Sequence, residues 1–172
     1  MRLRASARGP TVGAAGSRRD QRGSVLALVP AGFLVLMLLA GLAVDSAVTY
    51  EAQHALHDAL TAAANDAVSA GLDSRAFYAG GAITLDPATV AVTVCRSVEA
   101  QDLAWLHRLQ LAVAVGNRSV RVEGTATVNA VFGRLVPGFG SRQVSSSADA
   151  TLTAGGQPAV PALGPATPIA CG

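Results

Sequence analysis

One long stretch of uncharged, mostly apolar residues dominates the pattern near the start of the chain. Residues 24–44 read SVLALVPAGFLVLMLLAGLAV, which is 21 positions without a charged side chain. As a helix rising about 1.5 Å per residue, this stretch covers roughly 30 Å, the thickness of the hydrocarbon core of a bilayer. The pattern therefore predicts a single transmembrane helix over residues 24–44.

The helical pattern continues beyond the apolar stretch. Residues 45–72 contain no proline, and their only glycine is Gly71, near the end. Small apolar residues recur there at steps of three and four, which is the period of one helix face. The stripe consists of Val48, Ala52, Ala55, Leu56, Ala59, Leu60, Ala63 and Ala67. We predict a stalk helix over residues 45–72, continuous with the transmembrane helix, and leave open whether the stripe packs on the protein's own domain or on a partner helix.

Residues 73–154 alternate between helix and strand signals. Residues 82–85 are consistent with a short strand. Asp86 followed by Pro87 is typical of a helix start, because aspartate caps the first turn and proline fits its first position. We predict a second helix from there to about Ala100, with Cys95 on its apolar face.

The remaining pattern predicts strands. Apolar residues alternate with a period of two from Leu109 to Val115 and again from Val120 to Val128, and Gly116-Asn117 supplies turn chemistry between them. A third alternating segment covers residues 144–152. Residues 155–172 are rich in Gly, Pro and Ala, which predicts a disordered tail. The expected outer domain is therefore α+β, with two helices on a small three-stranded antiparallel sheet.

Charge gives the expected orientation. Six arginines precede the apolar stretch: Arg2, Arg4, Arg8, Arg18, Arg19 and Arg22. With Asp20 they give residues 1–23 a net charge of +5, whereas the seven arginines and ten acids that follow give −3. Because positive flanks stay inside, we expect a basic cytoplasmic tail over residues 1–23, a cell-membrane location and an extracytoplasmic domain. The net acidic outer domain argues against nucleic acid as a partner.

A secretory signal peptide is the alternative. The sequence Gly41-Leu42-Ala43 is a weak small-residue cleavage pattern, and cleavage near Ala43 would release a secreted or cell-surface binding module. The apolar core of a signal is usually about 7–15 residues long, so the longer stretch here favours a retained anchor.

Candidate chemistry is sparse. Cys95 and Cys171 are the two cysteines, and the sequence leaves open an intramolecular disulfide, free thiols or a bridge between chains. His54, His57 and Asp58 share a helix region, but we interpret them as a solvated face rather than a metal site. Without a phosphate-binding loop or hydrolase motif, we expect no enzyme activity, no catalytic residue, no cofactor or metal, and no small-molecule substrate. We expect Trp105 to pack in the core.

Four segments together resemble a known family. They are residues 18–24 (RRDQRGS), the apolar stretch behind them, Ala43-Val44-Asp45 leading into Tyr50, and the Ala-rich residues 60–72. The chain resembles the TadE/TadG-like pseudopilins of the tight-adherence (Flp) pilus assembly system, over about residues 18–72. The resemblance implies a pilin-like fold, a non-enzymatic role in a pilus assembly or secretion apparatus, and contacts with other pseudopilins through the transmembrane and stalk helix.

The same resemblance suggests a processing site. Pilins of this system are cleaved after a glycine and carry a glutamate at the fifth mature position. Here Gly23 and Ser24 match the cleavage site, whereas the fifth position is Leu28. The departure favours a TadG-like minor or accessory component over a major pilin.

Overall fold

A computed structural model describes residues 22–80, 83–135, 138–153 and 163–171 of the chain. The chain divides after Met37 into two units, and the first helix contributes residues to both. This helix, α1, comprises Arg22–Ala70 and includes Pro30. From Leu28 to Ala70 the helix is, by length and composition, long and apolar enough to cross a membrane. The prediction of a long apolar N-terminal helix is confirmed.

Gly71 follows the last residue of α1 at a position where no side chain fits. Its N–H donates to the carbonyl of Ala67 at 2.8 Å, and its own carbonyl accepts from the N–H of Asp86 at 2.8 Å. A Cβ on Gly71 would lie 2.6 Å from Cγ2 of Val90. The glycine therefore allows the start of the third helix to pass close to the end of α1.

Two further α-helices follow in the part of the chain that the structure describes. The short α2 (Ser74–Gly80) was not predicted. The third helix, α3 (Pro87–Glu99), begins as expected: Asp86 caps it by accepting the N–H of Thr89 at 3.0 Å. The prediction of a strand over residues 82–85 is wrong for its described part, because Leu85 forms only an isolated bridge with Leu72.

Within the described residues the sheet has four strands in the order β3-β2-β1-β4, all antiparallel. They are β1 (His107–Val115), β2 (Ser119–Asn129), β3 (Ser141–Thr151) and β4 (Thr167–Ile169), and a short 3₁₀ helix, Gly133–Leu135, precedes β3. The predicted hairpin and third strand are confirmed. Their register pairs Val113 with Val122 and Val122 with Ala148.

The predicted three-stranded sheet is corrected by β4, which lies in the tail that composition predicted to be disordered. Pro168 lies opposite Ala112, and Ile169 lies opposite Leu111. A proline fits an edge strand because its missing N–H faces away from the ladder. Residues 155–162 and 172 of the predicted tail lie outside the described part of the chain.

The core of the C-terminal unit lies between the helices and one face of the sheet. Buried alanines and leucines of α1, including Leu56 and Leu60, join Val90 and Val94 of α3. On the sheet, a Cβ at Gly124 would lie 3.1 Å from Leu60 and 3.3 Å from Leu56, so the glycine makes room for both leucines. The apolar stripe of α1 therefore packs on the protein's own sheet, which answers the question that the sequence left open.

Candidate functional site around Asp45

The most unusual side chain of the C-terminal unit is Asp45. It is the first charged residue after the apolar stretch, and yet it is only 7% exposed. Gly41 is also buried one helical turn earlier, on the same face of α1. These two positions lie beneath the β2–β3 loop, which we define as the described residues 130–135 and 138–140. Asp45 therefore faces protein backbone rather than solvent.

Three consecutive backbone N–H groups of the β2–β3 loop donate to the Asp45 carboxylate. Val131 and Phe132 donate to Oδ1 at 2.7 and 2.9 Å, and Gly133 donates to Oδ2 at 2.7 Å. The third donor is the first residue of the 3₁₀ helix, where N–H groups have no partner within the helix. Asp45 thus satisfies the loop in the way that a capping carboxylate satisfies a helix start.

Two glycines make the close approach possible. A Cβ on Gly41 would lie 3.2 Å from Cγ and 3.3 Å from Cβ of Phe132, so the Phe132 side chain rests directly on the helix backbone there. A Cβ on Gly133 would collide with the carbonyl oxygen of Phe139 and lie 2.9 Å from Cβ of Ala130. The loop is closed at its base, where the N–H of Ala130 donates to the carbonyl of Gly140 at 3.0 Å.

The environment of Asp45 lowers the pKa of its carboxyl group below the usual value of 3.8. The hydrogen bond from Phe132 N–H is the strongest cause, with help from the Gly133 and Val131 amides and the positive charge of Arg142. Burial opposes this effect because it disfavours the charged form. The donors outweigh it, so the carboxylate is ionised at neutral pH.

The outer side of the β2–β3 loop is apolar and basic. Val131, Phe132 and Phe139 are all large apolar side chains that remain exposed, at 55%, 46% and 61%. Arg134 is exposed within the loop, and Arg142 is exposed just after it. The loop therefore binds Asp45 with its backbone and presents aromatic and cationic side chains outward.

The predicted processing residues, Gly23 and Ser24, lie in the first turn of α1, and cleavage between them stays a prediction. Leu28, the fifth residue after that bond, has an exposed side chain. Ala43, at the alternative cleavage site, lies within α1 between Gly41 and Asp45.

Cys95 and Cys171 form a disulfide that joins α3 to the chain just after β4. Their Cα atoms lie 5.3 Å apart and are separated by 76 residues in sequence. The bridge therefore holds the C-terminal strand against the domain.

The histidines do not converge. His54 Nδ1 lies 3.5 Å from Oδ2 of Asp58, whereas His57 Nδ1 lies 3.1 Å from the hydroxyl of Ser146 on β3. Among the described residues, no three His, Cys, Asp or Glu side chains come together in a way that could hold a metal ion. Trp105 is 43% exposed, so the prediction that it packs in the core is wrong.

A groove of about 890 Å³ lies where the end of α3 faces β1 and β4. Its walls include Val98, Leu106 and Ile169, with the carboxylates of Glu99 and Asp102 among the lining residues. The lining contains neither a histidine nor a free thiol. This groove is mainly an apolar surface, and it lacks a set of converging hydrogen bonds like the one at Asp45.

Sequence reasoning missed the role of Asp45. The acid after the apolar stretch enters only as part of the family resemblance, and the sequence pattern assigns no role to the residues between the second and third predicted strands. Their contact joins residues 86 to 88 positions apart, which no local period reveals. An isolated acid at the end of an apolar stretch, next to Gly41, was the available signal.

The chain matches no protein-family model, no curated protein and no solved structure.

Proposed function

We propose that the protein is a single-pass membrane component of a Flp-type pilus assembly or secretion apparatus, related to TadE/TadG-like pseudopilins and without enzymatic activity. In this proposal residues 1–23 are cytoplasmic, residues 24–44 span the membrane, and the α+β domain lies outside the cytoplasm. The proposal combines the family resemblance over residues 18–72 with the architecture of the folded domain.

One observation supports the proposal most strongly. Along α1, large apolar side chains from Leu28 to Leu42 are more than half exposed, whereas Leu56, Leu60 and most alanines of the stripe after Asp45 are buried in the core. A soluble domain rarely leaves so large an apolar surface uncovered. Lipid, or other helices in lipid, would cover these side chains.

The proposed mechanism is assembly by helix packing. The exposed segment would lie against other pseudopilin helices in the bilayer, and the domain would present its surface to extracytoplasmic partners. Leu28 in place of a glutamate lowers the cost of holding the segment in lipid, since a carboxylate there is expensive. Retention in the membrane as an accessory component fits that substitution better than extraction into a fibre.

Mass spectrometry of the mature N-terminus tests the anchoring. A chain that begins near Met1 or at Ser24 retains the apolar segment, and a start at Ser24 adds cleavage by a prepilin peptidase. A start at Val44 would contradict the proposal, because it removes the membrane segment together with Gly41 and leaves the secreted binding module.

Photo-crosslinking in intact membranes tests the apparatus. A photoreactive residue at Leu36 is expected to yield adducts with other single-span pseudopilins. The same residue at Tyr78, which is 86% exposed on α2, provides the matched control outside the helix. Adducts from position 36 with lipid alone would contradict a role in a multi-protein apparatus while leaving membrane anchoring intact.

A further inference from the structure

The exposed apolar side chains of the β2–β3 loop occupy a particular place in the C-terminal unit. Phe132 rests on Gly41, and Gly41 belongs to the uncharged stretch that ends at Val44. Three residues of helix correspond to roughly 4.5 Å, so Phe132 lies alongside the last turn of that stretch. Leu38 lies about one turn before Gly41 on the same side of α1 and is more than half exposed. The loop and the end of the apolar stretch thus both present exposed apolar side chains on this side of α1.

The contacts of Asp45 explain how a charged side chain can lie directly at the end of the apolar stretch. A carboxylate at the edge of a bilayer is costly unless its oxygens are hydrogen-bonded. Here the two oxygens accept three backbone N–H groups, and the side chain is almost completely buried. The loop amides therefore take the place of water around Asp45. This contact also positions the apolar side chains of the loop where α1 would leave the lipid.

The composition of the loop fits the boundary between lipid and water. Aromatic residues are enriched at that boundary, and arginine can keep its stem in apolar surroundings while its guanidinium reaches the headgroups. Phe132 and Phe139 supply the aromatic rings, and Arg134 and Arg142 supply exposed cations beside them.

We infer that the β2–β3 loop is a membrane-interface anchor, in which Val131, Phe132 and Phe139 insert among the phospholipids of the outer leaflet and Arg134 and Arg142 contact lipid phosphates. This inference rests on the membrane-spanning part of the proposed function but not on any pilus partner. The anchor fixes the domain against the bilayer surface at a second point besides α1.

A second copy of the chain is a weaker candidate for covering this surface. A stable interface takes about 800 Å² from each partner. The exposed parts of the three loop side chains supply far less than that, and the leucines of α1 beside them belong to the segment that the proposed function places in lipid. A bilayer requires no such minimum, since each apolar side chain that enters it adds independently.

The experiment places single tryptophans in the full chain reconstituted in phospholipid vesicles. In a Trp105→Phe background, the variants Phe132→Trp, Phe139→Trp and Val131→Trp each report one loop position. Tyr78→Trp is the exposed control on α2, and Phe33→Trp reports the membrane span itself. Lipids brominated near the headgroup end or near the methyl end of the acyl chains quench tryptophan according to its depth.

Interfacial side chains lie roughly 5–10 Å into the headgroup–acyl boundary, so we expect the loop tryptophans to lose about half of their emission to the shallow bromines. Their emission should also shift to shorter wavelength, whereas Tyr78→Trp stays unquenched and Phe33→Trp is quenched by the deep bromines. Because Phe132 packs on Gly41, Phe139→Trp and Val131→Trp keep the test valid if Phe132→Trp disturbs the loop.

Quenching of Phe33→Trp without quenching of any loop tryptophan would overturn the anchor and leave the span intact. Loss of quenching at Phe33→Trp as well would overturn the span and the anchor together. A blue shift that depends on protein concentration and not on bromine would also overturn the inference, because it would place a second copy on the loop.

Discussion

Helix α1 carries two apolar segments that differ in the size of their side chains and in what covers them. Before Asp45 the segment is rich in leucine, and its large side chains are exposed. After Asp45 the stripe is mostly alanine, and the sheet buries it. Alanine allows close approach but buries little area, so the folded domain gains less from each contact than a leucine-rich core would. The difference fits the proposed membrane span for the first segment, and it shows close packing for the second.

We expect the largest effect on the free energy of unfolding from removing the disulfide, which stabilises a core with so much alanine. Replacing both Cys95 and Cys171 by serine should lower the free energy of unfolding by about 4 kcal/mol, as expected for a bridge closing a loop of this length. Denaturant titration of the full chain in detergent measures it. The control is Val92→Ser, an exposed position on α3. Equal stability of the two proteins would mean that the alanine-rich core is sufficient by itself.

Leu60→Ala tests the buried segment directly. Leu60 is fully buried against Gly124, so the truncation should cost about 3 kcal/mol. The matched change Leu39→Ala, in the exposed segment of the same helix, should leave the unfolding of the domain almost unchanged in detergent. Similar losses from both variants would contradict the division of α1 at Asp45.

Gly124→Ala tests the same contact from the side of the sheet. The added methyl group would lie 3.1 Å from both Cδ atoms of Leu60, and we expect a cost of about 1–2 kcal/mol from overpacking. In the double variant with Leu60→Ala, the cost of Gly124→Ala should fall, because the truncated side chain leaves that space empty. A double-mutant cycle measures the coupling, and strict additivity would contradict the contact.

The smallest expected effect lies at the boundary between the segments. Asp45→Asn keeps the shape but removes the charge, and its amide group presents a donor toward a loop N–H. We expect hydrogen exchange at Val131, Phe132 and Gly133 to accelerate by about tenfold, with little change at β2. Unchanged exchange at all three amides would contradict the role of the carboxylate.

Acidification should act in the same direction in the unsubstituted protein. Because folding lowers the pKa of Asp45, its stabilisation is complete above the unfolded value near 3.8 and is lost as the pH falls through the lower folded value. The protection factors of the loop amides, taken relative to intrinsic exchange at each pH, should therefore fall below about pH 4, and this loss of protection should be absent in Asp45→Asn.

The elements with a local signal were predictable from the sequence. The Asp86-Pro87 start of α3 and the alternation on both sides of Gly116-Asn117 report capping and turn geometry within a few residues. The strand at Thr167–Ile169 has no such signal, because a three-residue segment containing Pro168 forms only where β1 offers a free edge. The Asp45 site was equally hidden, since its donors come from a distant loop, and the exposure of Trp105 depends on how the α3–β1 connection runs.

The disulfide between Cys95 and Cys171 has a consequence for maturation if the domain lies outside the cytoplasm, as proposed. Thiols stay reduced in most cytosols, so the C-terminal strand would be locked in place only after the domain had been exported. Maturation would then follow a fixed order, with translocation first and closure of the last strand second. The oxidation state of Cys171 in a sample would report what fraction of molecules had completed both steps.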